Sequence, residues 1–415
     1  MIRIEHPIEF QDTYDLTRIG SLDELLFFDI ETTGFSGDTS SLYLIGCTWH
    51  RDGRWYMTQY FADGPEAECQ ALTEFFELLK HYRVLIHFNG DGFDIPYLLK
   101  RCAHHKLNYS FDGLVSLDIY KKIRPLKKLL GLDSLKQKAI ERFLGVDRTD
   151  VFSGGELIEV YKEYLRSRDD RLFHLLILHN EDDLKGMPCI LPILNYPDLL
   201  EGPLSLAGHS RASLRDIFGR EAPMLDLCFE SPCSVPVGFE AENGLVNMSL
   251  EKNLLKFRIE LYEGELKFFY PNYKDYFYLP LEDTAVHKSV GEFVDKSARV
   301  RATAKTCYTR KNGLFVPQFE PLWEPALKRE LKDPVSFTEY RAAGAAGDCA
   351  AVWKAAYAVC DWEEQGVNAV KADRTCPLLQ FQIMITLRIQ SGQTQRSHLI
   401  PSNRSDDQPA GNTGN

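Results

Sequence analysis

Leu25–Phe35 reads LLFFDIETTGF. From Leu25 to Ile30 the run is apolar except for one acid, Asp29. A run this short, closed by a turn signal, predicts a strand buried on both faces. Side chains alternate along a strand, so Asp29 and Glu31 project to the same side. Two carboxylates close together on a buried strand repel each other and lose hydration. A divalent cation relieves both, and Mg²⁺ binds through a few carboxylates plus substrate phosphates. Thr32-Thr33-Gly34 then ends the strand in a tight polar turn able to approach a ligand. Taken alone, D-x-E is also a common acidic strand end.

The flanking sequence extends this strand into a sheet. Ser41–His50 alternates into a second strand, Asp52-Gly53 is a hairpin signal, and Trp55–Phe61 predicts a third strand paired back on it. Pro65 opens a helix to about Tyr82, with Leu72, Phe75, Phe76 and Leu79 on one face. Val84–Phe88 predicts a fourth, buried strand, which leads through Asn89-Gly90-Asp91-Gly92 into a helix carrying Phe93 and Asp94. Leu117–Tyr120 reads as a short strand holding Asp118. Helices follow at about 132–144 and 155–167, separated by the turn Ser153-Gly154-Gly155. A further helix runs from about Asp170 to Gly186 and stops before Pro188. Three antiparallel strands and then strand–helix alternation indicate an α/β mixed sheet flanked by helices.

The last of these helices adds chemistry. Leu172, Leu175, Leu176, His179 and Asp183 share one stripe, and Glu181 points away. His179 and Asp183 are four apart, hence neighbours on the inward face. An acid and an imidazole that continue an apolar stripe need a partner. They can hydrogen-bond each other, or the Asp can ligate a metal with the His as general base beside it. Asp182 is the neighbouring alternative, further round the wheel. Asp94 follows a buried strand and a Gly-rich loop, where an α/β sheet presents functional side chains. Asp is also a favoured helix N-cap, which is the plainer reading of Asp94.

Composition bounds the rest. The 415 residues allow two or three domains, and 44% hydrophobic with 12% aromatic content is that of a globular chain with real cores. A net charge of -12 argues against bulk nucleic-acid affinity but leaves local basic patches. The ten cysteines form no C-x-x-C pair, and scattered thiols suit a reducing cytosol. MIRIEHPIEF has no signal-peptide character and no apolar run reaches membrane-spanning length, so a soluble, cytoplasmic protein without a membrane partner is expected.

FFDIETTGF resembles the first motif of the DEDD exonucleases of the ribonuclease H-like superfamily; NGDGFDIPYL resembles the second, and HNEDDL the third. The intervening LGLDSLKQKAIERFLGVDRTDVFSGGELIEVYKEYL is similar to the predicted-exonuclease branch of bacterial ribonuclease H-like domain proteins. The resemblance covers about residues 20–195 and implies a mixed five-stranded sheet with an antiparallel 1-2-3 side. It implies Asp29, Glu31, Asp94 and Asp183 as ligands of two Mg²⁺ or Mn²⁺ ions about 4 Å apart. His179 then accepts a proton from, or orients, the attacking water, a task suited to a group that titrates near neutrality. The implied activity is stepwise 3′–5′ hydrolysis of DNA or RNA from single-stranded 3′ ends. Thr32, Thr33 and Phe35 line the implied terminal-nucleotide pocket, with Asn89 and Phe93 opposite.

Two departures from the family pattern matter. The histidine subclass places four residues between His and Asp; here there are three, as in the tyrosine subclass, so His179 stands where a Tyr is usual. Asp118 is an additional carboxylate near the sheet, expected to support the site or the fold from behind. Phosphate contacts need basic residues. Ile119–Leu132 holds Lys121, Lys122, Arg124, Lys127 and Lys128 and no acid, a run that is equally a solvated face.

Residues 1–200 are thus expected to form the ribonuclease H-like domain. Residues 201–240, rich in Pro and Gly, read as a connector with a short helix near 210–219. Residues 241–337 predict a small α+β domain with antiparallel strands, including a hairpin at Glu263-Gly264, a helix capped by Asp283, and a hairpin at Lys311-Asn312-Gly313. Its Lys296–Lys311 stretch holds Lys296, Arg299, Arg301, Lys305, Arg310 and Lys311 without an acid, beside many aromatics. That pattern suits single-strand binding by stacking, and equally an aromatic core. From 338 to 415 the composition turns Ala/Gly-rich and then polar, as in a disordered or foreign tail. Two other functions compete with the exonuclease: a nucleic-acid-binding protein whose nuclease fold no longer cuts, and a ribonuclease H-type endonuclease. The intact acid set and the Asp-x-Glu pair favour the exonuclease.

Overall fold

A computed structural model describes residues 1–11, 13–146, 154–202, 204–215, 218–242, 244–318 and 324–340. In chain order its main elements are β1 (Ile2–Ile8), β2 (Leu25–Thr32), β3 (Leu42–Arg51), β4 (Arg54–Phe61), α1 (Glu68–Leu79), β5 (Val84–His87), α2 (Asp94–His104), β6 (Val115–Asp118), α3 (Ile119–Ile123), α4 (Gln137–Phe143), α5 (Gly154–Ser167), α6 (Asp170–Ile190) and α7 (Asn195–Glu201). There follow β7 (Ser205–Arg215), β8 (Glu221–Glu230), β9 (Phe239–Glu242), β10 (Val246–Glu251), β11 (Leu254–Glu260), β12 (Tyr262–Phe269), β13 (Tyr276–Leu279), β14 (Thr284–His287), α8 (Lys288–Gly291), β15 (Val300–Arg301), β16 (Tyr308–Gln318) and β17 (Ser336–Glu339).

The first sheet has the order β1-β4-β3-β2-β5-β6. β1 to β4 and β4 through β3 to β2 are antiparallel; β5 and β6 run parallel to β2. This is the mixed α/β sheet the sequence predicts, with one strand more than the five expected. The addition is β1, whose IRIEHPI alternates between half-buried and exposed. It lies at the sheet edge, where Pro7 removes no needed hydrogen bond. β2 is central and divides its side chains between two cores. Leu26, Phe28 and Ile30 pack with Leu72, Phe75 and Leu98 under α1 and α2. Leu25 and Phe27 pack with Ile123, Met187 and Ile190 on the opposite face. Burying each such side chain stabilises by roughly 1.5–3 kcal/mol. Asp29 and Glu31 continue the Leu25–Phe27 side, the side on which α6 lies.

α6 opens at Asp169, whose side chain accepts from the Arg171 amide at 2.9 Å. It runs through Pro188 to Ile190 rather than stopping before the proline. One missing hydrogen bond in the last turn is offset by burial of Met187, Pro188 and Ile190.

The second half departs further from expectation. Among the described residues of 201–240 there is no helix near 210–219; β7 and β8 form a long antiparallel pair there. β7 is largely exposed, so no apolar alternation marked it, and its backbone ladder to β8 holds it in place. Together they open a five-stranded sheet, β7-β8-β11-β10-β9. Its Phe229, Leu255 and Phe257 join Tyr196, Leu199 and Leu200 of α7 in the same core that reaches β2. The two remaining sheets are β12-β16-β17 and β14-β13-β15. Glu263-Gly264 is no hairpin: β12 pairs with β16 along its length, Gly264 facing Gly313. Lys311-Asn312-Gly313 likewise runs straight through β16, because continuous pairing outweighs a local turn preference. Asp283 caps no helix but sits in a turn with φ 49°, and accepts from the Tyr278 and Tyr308 hydroxyls at 2.5 and 2.6 Å. The start of the expected tail belongs to β17, which pairs with β16; residues 341–415 lie outside the described residues, as does Ser153.

Candidate functional site

The site lies where α6 crosses β2. His179 and Asp183, one helical turn apart, face Glu31. His179 Nε2 lies 3.6 Å from Glu31 Oε1 and 3.4 Å from Asp183 Oδ2. One ligand atom from each of these three residues falls within 4.8 Å of the other two. Asp183, rather than Asp182, is thus the acid of this stripe that meets β2. Glu181 points elsewhere, to Lys185 at 2.5 Å. Glu31 also receives a hydrogen bond from the Tyr43 hydroxyl at 3.4 Å. Burial, with Glu31 nearby, pushes that phenol up and keeps it a donor.

Asp29 is half-buried on the strand beside them. Desolvation first, then Glu31, Asp94 and Asp183, push its carboxyl well above the usual range, against one hydrogen bond from Asn180 at 3.1 Å. Asp94 enters as the first residue of α2 and is 6% exposed. It lies within the helix rather than at its N-cap, which is Phe93. Burial pushes the Asp94 carboxyl up to about 7, opposed by backbone hydrogen bonds at Asp94 and Ile30.

The loop that delivers Asp94 is clasped from below. Asp118 accepts the amides of Asn89 at 3.0 Å, Asp91 at 3.2 Å and Lys121 at 3.1 Å, so it fixes the loop and caps α3 at once. His87 Nδ1 accepts the Gly90 amide at 3.0 Å, and Nε2 contacts Ser116 Oγ at 2.8 Å. Burial lowers the His87 pKa below its ordinary value, so the ring is neutral and suited to that acceptor role. A side chain at Gly90 would put Cβ 2.5 Å from the imidazole. His87, Asp91 and Asp118 form a second cluster with ligand-like spacing. Backbone amides, Ser116 and Lys121 already satisfy it. Asp118 is therefore a support for the loop, as the sequence suggested.

Of the remaining expected residues, Thr32, Thr33 and Phe35 lie at and beyond the end of β2, and Asn89 and Phe93 precede α2. Thr33 Oγ1 bonds both ways with Ser41, and Thr32 Oγ1 donates to the Gly34 carbonyl at 2.9 Å, which shapes the turn. Phe35 is 92% exposed at its tip. Asn89 is exposed with φ 64°, while Phe93 is half-buried against Tyr97. Of the basic run, Lys121 bonds Asp91 at 3.1 Å and Lys122 lies 3.8 Å from Glu201.

A hard divalent cation fits this donor set. Carboxylates of three chain segments and one imidazole converge, and burial together with Glu31, Asp94 and Asp183 raises the Asp29 carboxyl. Sequence reading missed Asn180, Gln59 and Gly46. Gly46 carried a usable signal, since a glycine inside a strand marks a close approach. Asn180 adjoins His179 in HNEDDL but has no periodicity of its own.

Residues 26–194 match the family model described as the RNase H superfamily. Among curated proteins none matches the chain. Among solved structures, the family B DNA polymerase of the hyperthermophilic archaeon Pyrobaculum calidifontis is similar at 15% identity and TM-score 0.35, covering 59% of this chain and 33% of that one. The zinc-bound E. coli ExoI–ssDNA complex is similar at 12% identity and TM-score 0.26, covering 51% of this chain and 55% of that one. A product-bound exonuclease I is similar at 11% identity and TM-score 0.26, covering 50% and 58%. The chain thus spans between a third and three-fifths of the length of these structures. No helix among the described residues is long and apolar enough to cross a membrane.

Proposed function

We propose that residues 26–194, which match the RNase H superfamily model, form a ribonuclease H-like domain and that the protein is a metal-dependent 3′–5′ exonuclease of the DEDD type. The observation that carries this reading is the convergence of Glu31, His179 and Asp183 within 4.8 Å beside Asp29 and Asp94. A structural cluster would pair its acids with cations; here Asp29 has acids as its charged neighbours instead. Asp29, Glu31, Asp94 and Asp183 would hold two Mg²⁺ or Mn²⁺ ions, which supply an activated water and stabilise charge on the leaving 3′-oxygen. His179, beside Glu31 and Asp183, is placed to take or orient a proton of the attacking water. Exposed Phe35 would offer a face for stacking the terminal base, with Thr32, Thr33, Asn89 and Phe93 bordering the pocket. The partner would be nucleic acid with a single-stranded 3′ end. Ten scattered cysteines without a C-x-x-C pair suit a reducing, cytoplasmic setting.

The test is degradation of 3′- and 5′-labelled single- and double-stranded DNA and RNA with Mg²⁺, Mn²⁺ or EDTA. The expected result is immediate release of a 3′ label as mononucleotide and a stepwise ladder from the 5′-labelled strand, both abolished by EDTA. Internal fragments from the outset would point to an endonuclease. Binding without cleavage in either metal would leave a nucleic-acid-binding protein on a nuclease fold.

A further inference from the structure

Asp29, Gly46 and Gln59 stand in one row across β2, β3 and β4, Asp29 paired with Gly46 and Gly46 with Gln59. Directly paired residues of an antiparallel ladder point to the same face. The glycine therefore leaves a slot between a carboxylate and an amide. Asn180 of α6, at 0% exposure, fills it. A Cβ on Gly46 would lie 2.0 Å from Asn180 Oδ1 and 2.5 Å from Leu184 Cδ1, closer than atoms approach.

The direction of both amides follows from one backbone group. The Ile177 carbonyl only accepts, so Gln59 must turn its nitrogen there, at 3.0 Å. The same Nε2 donates to Asn180 Oδ1 at 3.0 Å. With its oxygen so engaged, Asn180 turns Nδ2 to Asp29 Oδ2 at 3.1 Å. Reversing either amide would set oxygen against oxygen in a buried slot.

We propose that Asn180 is a positioning residue for Asp29: Gln59 fixes its donor end, Gly46 keeps its place, and the relay holds one Asp29 oxygen so that the other is presented to a divalent cation. The inference rests on reading Asp29 as a metal ligand. Hydrogen bonding to an ionised carboxylate favours that form, against the burial and neighbouring acids that disfavour it. Partners that orient a ligand from behind change metal affinity about 10–100-fold when removed.

The test measures Mn²⁺ binding to the full chain without nucleic acid, by calorimetry and by the electron paramagnetic resonance of free Mn²⁺. Asn180→Leu keeps the branching at Cγ and removes the donor; Gln59→Leu leaves Asn180 in place but frees it to reverse. Asp29→Asn reports on the metal reading itself. Unfolding midpoints in EDTA accompany each variant. The expected order of loss is Asp29→Asn, then Asn180→Leu at about tenfold or more, then Gln59→Leu at several-fold. If Asn180→Leu fails to fold, Gln59→Leu, which does not touch Asp29, carries the test. Wild-type affinity in a folded Gln59→Leu and Asn180→Leu, with Asp29→Asn defective, overturns the relay and leaves the metal site standing. No Mn²⁺ binding by the wild type removes the metal reading, and the relay with it.

Discussion

Charge is handled in opposite ways in the two regions of the chain. Where α6 crosses β2, acids from β2, α2 and α6 lie together, and Asp29 and Asp94 are driven up by burial and by like charge. Along 296–311 Arg299, Arg310 and Lys311 have partners of their own instead. Arg310 meets Glu265 at 3.2 Å and Asp283 at 3.5 Å, Lys311 meets Glu339 at 2.7 Å, and Arg299 lies over the Phe277 ring at 4.5 Å. Gathered like charge destabilises a fold and persists where something else is bound. Matched charge on exposed strands adds little, typically 0–1 kcal/mol per pair, and calls for no ligand. The contrast favours the first region as the candidate site and makes the second a weaker candidate for phosphate contact than its sequence suggests.

The sharpest way to break this contrast is to remove an acid. Asp29→Ala or Asp94→Ala should take hydrolysis of labelled oligonucleotides below detection, while circular dichroism reports an intact fold. Full activity in either variant would remove the site from this place. His179→Ala should be the next largest loss, roughly 10²–10⁴-fold in rate, as for loss of a general base. His179→Tyr separates two roles. If it stays active, position 179 orients water and takes no proton.

A stability measurement sharpens the same point without catalysis. The Asp94 carboxyl is raised from 3.8 to about 7 in the folded protein. The folded state therefore binds a proton that the unfolded state has released between about pH 4 and pH 7. Stability from this group rises as pH falls through about 7, and above it the ionised form carries the full cost. Asp94→Asn should make the metal-free protein more stable at pH 8, by up to about 4 kcal/mol, with the gain gone near pH 4. Thermal unfolding in EDTA at both pH values reads this; an equal difference at both would mean Asp94 is not held neutral by its surroundings.

The first region was legible because burial is periodic there. Leu25, Phe27, Asp29 and Glu31 alternate on one side of β2, and Leu172, Leu176, His179 and Asp183 recur down one face of α6, so spacing puts Asp29 beside Glu31 and His179 beside Asp183; that the two pairs form one set is what the family resemblance implies. β1 was overlooked although its Ile2, Ile4 and Ile8 alternate, because an edge strand interrupted by Pro7 looks like an unstructured start. The relay through Gln59 and Asn180 depends on two strand registers and a helix docking between them, and no local pattern carries that. In the second region β7 is exposed along most of its length, and β12 pairs with β16 across some forty residues of chain. Turn signals at Glu263-Gly264 and Lys311-Asn312-Gly313 were real propensities overridden by that long pairing.

The smallest expected effect concerns the basic run. With Arg299, Arg310 and Lys311 engaged, Lys296, Arg301 and Lys305 remain as the cations of the run with no ion pair recorded among the described residues. Cutting the chain near Pro197 would not test them cleanly, because Tyr196, Leu199 and Leu200 share a core with Phe229, Leu255 and Phe257 and the cut would expose it. Replacing Lys296, Arg301 and Lys305 together by Gln leaves that core intact. Each phosphate neutralised on a single strand contributes a slope of about 0.7 in log affinity against log salt, so three contacts bound the change at about 2. Binding of a long single strand across a salt series should show a slope shallower by up to that amount, with cleavage of a short oligonucleotide at saturation unaltered. An unchanged slope would make the run a solvated face and confine phosphate contact to the first region. A change well beyond 2 would mean that the pairs at Arg310 and Lys311 open on binding, and the contrast between the two regions would hold only for the free protein.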